Sequence, residues 1–204
     1  MKLIIVNLQV SPHKAMQNHI PTPRLLIRPM QLSDSAAVLS YRSDPEVVRY
    51  QTWRPISDEE IRRFIRNLQG LVPGIPGHWF QFSLVRQSDG KLLGDCGVHV
   101  PLERIDVAEL GLTLAQAYQG QGYATEALTA LIGFCFDTLQ LRAILARTVD
   151  QNARSIALIG RCGIRPARPE DYGMVEESDE LFFSLERGDW VAARLSDTGD
   201  YERR

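Results

Sequence analysis

The sequence predicts an α/β domain with a mixed central sheet of about six to seven strands and helices on both faces. The chain has 204 residues, the length of a single domain with a sizeable core. Apolar residues make up 44% of it and charged residues 24%, a balance typical of globular proteins. Strand-like and helix-like segments alternate as strand, helices, three-strand meander, helix, strand, helix and strand, and this order predicts one mixed sheet.

The predicted domain begins with one strand followed by two helices. Arg24–Arg28 holds three apolar residues between two arginines and is predicted to be the first strand. Ser33 or Asp34 is a suitable N-cap for the next helix, because short polar side chains accept hydrogen bonds from the free N–H groups of a first turn. Residues 44–50 begin with Asp-Pro and predict a second, short helix.

A third helix and the meander follow. Ser57 and Glu60 have capping-box spacing, the apolar residues behind them have helical period, and Gly70 ends the helix. The meander strands are predicted at 79–86, 92–100 and 107–114, with a hairpin turn after the first. The later elements are predicted as a helix at 121–139, a strand at 142–149, a helix at 152–162, a strand at 180–186 and a short helix at 189–195.

The two ends of the chain differ from the domain between them. Residues 1–21 are predicted to be an N-terminal arm or an extra strand, residues 22–195 the domain, and residues 196–204 a flexible polar tail. The apolar run at the start is short for a signal peptide, and no run approaches the ~20 apolar residues of a membrane span. No membrane association is therefore expected.

Charge and cysteine content exclude some classes of function. The formal net charge of −2 argues against a general nucleic-acid binder, which is usually clearly basic. Cys96, Cys135 and Cys162 lack CxxC spacing and lie in apolar stretches, so that buried reduced thiols and a cytoplasmic location are predicted. No metal site is predicted, because the four histidines lack ligand spacing.

The segment from Ala108 to Leu128 predicts an anion site. It reads as a strand, a short turn with Gly120 and Gly122, and the start of an amphipathic helix. Glycines leave the main chain of the turn unshielded, and the helix directs its free N–H groups and its positive dipole end at that point. A phosphate is the usual occupant of such a site. The alternative is that the glycines serve only a left-handed turn.

Several motifs of this chain resemble those of one known family. The run Gln119-Gly120-Gln121-Gly122-Tyr123-Ala124 matches the Q/R-x-x-G-x-G/A motif of the GNAT superfamily of N-acetyltransferases. DPEVVRY at 44–50, SDEE at 57–60, and Asn152-x-x-Ser155 followed by Gly163 are similar to its RimJ/RimL-type branch. The resemblance covers roughly residues 22 to 190 and implies a GNAT-like fold.

The resemblance also implies a cosubstrate and the residues that bind it. Acetyl-CoA would place its diphosphate on the main-chain amides of the glycine motif, while the backbone of one strand would bind the pantetheine arm as an added strand would. Asn152 and Ser155 would lie near the far side of the molecule, although Asn152 is also a good N-cap. The implied cofactor-binding residues are Leu112, Thr113, Leu114, Gln119, Gly120, Gln121, Gly122, Tyr123, Ala124, Asn152 and Ser155.

Two departures from the family pattern leave one role open. Gly163 is followed by Ile164, where relatives often have Phe. Many relatives carry a tyrosine on this helix as the acid for the departing thiol, but residues 153–162 contain none. The acid is therefore unassigned by resemblance. Ser155 is the polar group we expect near the thioester, and Cys162 is disfavoured as a nucleophile.

The hairpin of the predicted strands 92–100 and 107–114 carries the candidate catalytic residues. Folding it about Arg104 places His99 opposite Glu109 and Asp95 opposite Thr113, and alternation puts all four on one face, which we assign to the cleft. Our hypothesis is that Glu109 is the general base, acting through a water, with His99 beside it. The alternatives are a structural pairing of Glu109 with an arginine, and a half-exposed strand histidine.

Three aromatic residues are candidates for the acceptor pocket. Trp53, Trp79 and Phe80 flank the cleft in the family's layout, and ordinary core packing is the alternative for each. The expected acceptor is an amine-bearing small molecule or a protein N-terminus, and a homodimer is compatible with the family. The competing function is a non-catalytic acyl-CoA-binding or regulatory module on the same scaffold.

Overall fold

The structure is a computed structural model that describes residues 18–51, 53–54, 57–175 and 179–199, except the side chains of 197–199. It contains one mixed sheet, as predicted. The strands are β1 Ile20–Pro21, β2 Leu25–Pro29, β3 Trp79–Arg86, β4 Leu92–His99, β5 Val107–Leu114, β6 Ala143–Thr148, β7 Arg165–Pro166 and β8 Leu181–Glu186. Their order in the sheet is β1-β2-β3-β4-β5-β6-β8-β7. Among these described strands, β5 and β6 are parallel neighbours and the other neighbours are antiparallel.

Helices cover both faces of this sheet. They are α1 Ser35–Arg42, α2 Pro45–Val48, α3 Asp58–Leu68, α4 Tyr123–Asp137, α5 Ala153–Arg161 and α6 Arg187–Gly199. The largest core cluster packs α4 and α5 against the side chains of one face, and a second cluster lies among α1, α2 and α3 over the other face. Alternate residues of β3 and β5 supply apolar side chains to the first cluster, namely Phe80, Phe82, Leu84, Ala108, Leu110 and Leu114.

Eight strands are present in the part of the chain that the structure describes, where six to seven were predicted. The sequence did not give the bounds of β1, which was predicted only as one alternative for residues 1–21, and it did not reveal β7. These strands have two residues each, which is too short for an alternating pattern. β1 gives the predicted N-terminal segment an extra strand at its end, and residues 1–17 of that segment lie outside the described residues. The predicted C-terminal helix is longer than expected, because α6 continues through residues 196–199 of the predicted tail.

The polar caps predicted for two helices are confirmed. Ser57 Oγ accepts a hydrogen bond from the Glu60 N–H at 3.2 Å, and α3 begins there. Asn152 Oδ1 accepts from the Ser155 N–H, also at 3.2 Å, at the start of α5. Both side chains satisfy an N–H group that has no acceptor inside its own helix.

The prediction for the start of α1 was wrong in its chemistry. Asp34 occupies the N-cap position, but its side chain makes no capping bond. Its carboxylate instead accepts two hydrogen bonds from Arg28, each 2.7 Å long, and one from Ser83. Burial raises the pKa of Asp34, yet these donors outweigh it and hold that pKa below its usual value. The carboxylate therefore caps no N–H of α1; it pairs with Arg28 and accepts from the Gln31 N–H, at 2.8 Å, before the short 3-10 turn at 32–34.

The three cysteines are free and buried, as predicted. Burial raises the pKa of the Cys162 thiol, which disfavours the thiolate that a nucleophile needs. Over the described part of the chain, no helix is long and apolar enough to cross a membrane. In the same residues, no three His, Cys, Asp or Glu side chains are grouped as a metal site requires.

Candidate active site

A wedge-shaped opening separates the two parallel strands. β5 and β6 pair only at Val107, Ala108 and Glu109, where Glu109 faces Leu145. β5 continues to Leu114 and β6 to Thr148 beyond that last pair. The edge of β5 that faces this opening therefore has main-chain groups that β6 does not pair. We call this opening the cleft.

Two helices begin at the wide end of the cleft. Because the strands are parallel, their carboxyl ends lie at the same edge, and the chain enters α4 after β5 and α5 after β6. The N-termini of both helices, with their positive dipole ends, therefore lie near one another at that edge. Such an arrangement favours an anionic or strongly polar ligand.

The turn before α4 exposes its main chain. Gly120 and Gly122 have φ of 74° and 83°, in the left-handed region that favours glycine. The first intrahelical bond runs from the Glu126 N–H to the Gly122 carbonyl. Gly122 is the N-cap and has no side chain that could accept from the free amides of the first turn after it. We call the main chain of residues 119–124 the cradle.

The side chains of the cradle are turned away from its open main chain. Gln119 donates to the Leu114 carbonyl at 3.0 Å and accepts from Arg154 Nη1 at 2.9 Å, so that its amide ties β5 to α5. Gln121 donates to the Ala117 carbonyl at 2.8 Å. Tyr123 is buried in the main core cluster, and Ala124 packs against it. A ligand at the cradle would thus meet main-chain groups.

Arg24 brings a positive charge to the cradle from the start of β2. Its Nη1 donates to the Gln121 carbonyl at 2.9 Å, and its Nε donates to Glu126 at 2.6 Å. Its guanidinium carbon lies 4.3 Å from the centre of the Tyr123 ring. Sequence reasoning missed this residue, since no local pattern links a strand arginine to a turn 97 positions later.

The register predicted for the β4–β5 hairpin is confirmed. His99 pairs with Glu109, Gly97 with Gly111, and Asp95 with Thr113. The predicted inward side of β5 is also confirmed, since Ala108, Leu110 and Leu114 belong to the main core cluster and Leu112 packs against it. Both results follow from strand alternation on a hairpin that closes symmetrically.

The expectation that Asp95 lies in the open cleft was wrong. Its carboxylate is buried under α1, where Arg42 Nη2 lies 2.5 Å from Oδ1 and the Tyr41 hydroxyl donates to Oδ2 at 2.6 Å. Gln81 donates to the same carboxylate at 3.0 Å. Asp95 is removed from solvent because α1 packs over this part of the sheet. The sequence did not show that α1 would cover this position.

Trp79, His99 and Glu109 remain on the more open part of this face, which we call the acceptor face. The Trp79 indole, 39% exposed, stacks on the His99 ring with centroids 5.2 Å apart. A Cβ on Gly97 would approach Trp79 Cε3 to 2.9 Å, and one on Gly111 would lie 3.5 Å from Cζ3. Glycine at position 97 therefore leaves room for the indole, whereas a Cβ at position 111 would only make an ordinary contact with it.

The two titratable residues of the acceptor face, His99 and Glu109, differ in their surroundings. Burial lowers the pKa of His99, so its imidazole is neutral at neutral pH. Glu109 Oε2 lies 3.9 Å from Arg147 Nε, and Arg147 Nη1 lies 3.4 Å from Glu180. The structural partner considered as the alternative for Glu109 is thus present, and the sequence alone did not identify it as Arg147.

The other two aromatic candidates, Phe80 and Trp53, make packing contacts. Phe80 points to the opposite face from Trp79, is 5% exposed, and packs edge-on against Phe82 in the main core cluster, so its assignment to the acceptor pocket was wrong. Trp53 packs on Phe64 with ring centroids 4.4 Å apart and lies beneath the Arg42 guanidinium. Trp53 therefore has the packing contacts that were considered as its alternative.

The second arm of the cleft carries the remaining candidate residues. Asn152 and Ser155 lie at the N-terminus of α5, directly after β6. The Tyr50 hydroxyl, from the segment after α2, donates to the Gln151 carbonyl at 3.2 Å. This contact joins the helices over the acceptor face to the α5 arm, and no signal in the sequence anticipated it.

Comparisons with known proteins identify relatives that cover most of the chain. A family model described as acetyltransferase (GNAT) domain matches residues 24–165. The uncharacterized N-acetyltransferase p20 of Bacillus licheniformis is 32% identical over 139 residues, which cover 68% of this chain and 77% of that protein. The ribosomal protein uS5-alanine N-acetyltransferase of Escherichia coli is 25% identical over 184 residues, which cover 86% of this chain and 94% of that protein.

Solved structures agree with the fold. The crystal structure of a GNAT-family acetyltransferase from Bacillus anthracis superposes with a TM-score of 0.70 at 25% sequence identity. The match covers 83% of this chain and 99% of that one. The region matched by the family model includes the cleft and the cradle.

Proposed function

The chain belongs to the GNAT family of acetyltransferases, and from this premise we propose that it moves an acetyl group from acetyl-CoA to a primary amine by direct attack. The family and its N-acetyltransferase members make the chain an acyltransferase. One observation carries the proposal: a bare main-chain cradle adjoins strands that pair only as far as Glu109 and Leu145. A thioester could lie along that unpaired edge.

The residues present are suited to acetyl-CoA. The free amides between Gln121 and Ala124, with glycine at 120 and 122, would hold the diphosphate. The backbone of Leu112 to Leu114, on the edge that β6 leaves unpaired, would bind the pantetheine arm. Asn152 and Ser155 would lie across the cleft from it. When bound, acetyl-CoA supplies the acetyl group as a thioester.

Attack requires a neutral amine. A free α-amino group has a pKa of about 7.7–8 and a lysine about 10.4, so an α-amine needs little help near neutral pH. We assign proton removal to Glu109, through a water, with the neutral His99 beside it. Ser155 is the hydroxyl that we assign as donor to the departing sulfur. A thiolate leaves readily, so positioning supplies much of the rate.

The acceptor class follows from the acceptor face. Trp79 offers a partly exposed indole that stacks on His99, the strand partner of Glu109, and this suits an amine carried on an apolar or cationic group. A protein N-terminus and a small amine both meet that description. Similarity to a ribosomal-protein acetyltransferase, together with the RimJ/RimL-type motifs, favours the protein N-terminus.

A panel of acceptors tests this function. The protein is incubated with acetyl-CoA and either N-terminal peptides or small primary amines, and mass spectrometry records a gain of one acetyl group. We expect acetylated α-amines among the peptides and release of free thiol in equal amount. Binding of acetyl-CoA without turnover on any acceptor would instead support the non-catalytic module. Trapping of a covalent acetyl-enzyme would contradict direct attack.

Replacing Glu109 by glutamine is expected to lower kcat/KM about 100-fold and to remove the acid limb of its pH profile, because the amide cannot take a proton. The measurement is kcat/KM against pH on the best acceptor. Glu180→Gln is the matched control, since it removes the other carboxylate beside Arg147. An unchanged profile in Glu109→Gln, or equal losses in both variants, excludes Glu109 as the base.

A further inference from the structure

The contacts of Arg24 leave one of its nitrogens directed at the cradle. Nε is committed to Glu126 and Nη1 to the Gln121 carbonyl, while the Tyr123 ring supports the guanidinium plane. Nη2 lies 3.2 Å from the position that a Cβ on Gly122 would occupy, and no hydrogen bond within the described residues uses it. The side chain is 45% exposed, so a ligand can reach it.

Arg24 also balances a charge that an anion would otherwise meet. Glu126 lies in the first turn of α4, next to the cradle. Burial raises the pKa of Glu126, but hydrogen bonds from the Thr22 hydroxyl and from the main chain and side chain of Arg24 lower it by more. The carboxylate therefore stays ionised at neutral pH. Without Arg24 this negative charge would repel a phosphate at the same helix end.

Resting on the proposed function, we propose that Arg24 is a side-chain ligand of the cofactor's diphosphate. Nη2 donates to a diphosphate oxygen at the open side of Gly122, while the main-chain amides of the cradle donate from the helix end. Arginine suits this role because its guanidinium is always charged and can serve several acceptors at fixed angles. The ligand class is a diphosphate ester.

Calorimetry with three ligands tests the proposal. These are acetyl-CoA, its dephospho form, which keeps the diphosphate but lacks the 3′-phosphate, and S-acetylpantetheine, which has neither. Arg24→Gln is expected to bind the first two ~10- to 100-fold more weakly, the range for one hydrogen bond to a charged group, and the third unchanged. Arg24→Lys keeps the charge and should lose less. Arg168→Gln, in an exposed ion pair with Asp171, should change nothing.

A second variant separates a ligand contact from structural support. Glu126→Gln leaves Arg24 in place and removes the nearby negative charge, so acetyl-CoA affinity should be kept or raised. Equal losses in Arg24→Gln and Glu126→Gln would overturn the inference, because Arg24 would then act only by holding Glu126. A loss confined to the 3′-phosphorylated ligand would overturn it too. If the unaltered protein binds none of the ligands, the proposed function itself fails.

Discussion

Replacing Gly122 by leucine is expected to weaken acetyl-CoA binding at least about 100-fold, the loss that corresponds to two hydrogen bonds to a charged group. The new side chain would start at the mouth of the cradle, 3.2 Å from Arg24 Nη2, and would hold the diphosphate away from the first-turn amides. The measurement is the Kd by calorimetry, together with a cooperative unfolding curve that shows an intact fold.

The control for Gly122→Leu is a glycine that has the same left-handed backbone conformation but lies away from the cradle. Gly90, in the β3–β4 turn, has φ of 71°, and no atom lies within 4 Å of the position that a Cβ would take there. Gly90→Leu therefore meets the same left-handed penalty without a clash, and each variant is expected to lose about 1–2 kcal/mol of stability. Only the change at Gly122 should reduce binding. Unchanged affinity in Gly122→Leu would remove the cradle from the mechanism.

Replacing Arg42 by methionine is expected to destabilise the fold by about 3–5 kcal/mol, the usual cost of leaving one partner of a buried ion pair uncompensated. Arg42 and Asp95 have side chains only 3% and 1% exposed, and they join α1 to the centre of the sheet. The methionine would leave the Asp95 carboxylate with the Tyr41 and Gln81 donors but no cation. The measurement is the free energy of unfolding in urea.

Two further variants test whether the loss of stability in Arg42→Met comes from the buried ion pair. Arg66→Met breaks an ion pair with Glu59 that is exposed on both sides, and it should change stability far less. If Arg42→Met does not fold, adding Asp95→Asn should restore part of the stability, because both charges are then removed. A loss in Arg42→Met as small as that in Arg66→Met would contradict the assignment of this pair as a structural anchor.

Local patterns were sufficient wherever the interacting groups are close in sequence. The caps at Ser57 and Asn152 depend on residues three positions apart, and the pairing of His99 with Glu109 depends on one symmetric hairpin. The glycines before α4 were recognised for the same reason. In each case the backbone geometry of a few neighbours decides the contact, and sequence spacing records that geometry directly.

Contacts between distant elements could not be predicted in the same way. Asp95 and Phe80 were both assigned to the cleft, yet α1 buries the first and the opposite core encloses the second. Arg24 reaches a turn nearly a hundred residues away. An alternating strand reveals which residues share a face, but the helix that covers that face is chosen by packing across the whole domain.

By itself, the sequence determined that this chain has a mixed sheet, where its main helices begin, and that a glycine turn exposes amides at the start of α4. The tertiary structure decided which charges surround that turn and which polar groups stay open to a ligand. The reason is physical: a turn or cap is set by neighbouring dihedral angles, whereas the burial of Asp95 and the reach of Arg24 depend on elements that meet only after folding.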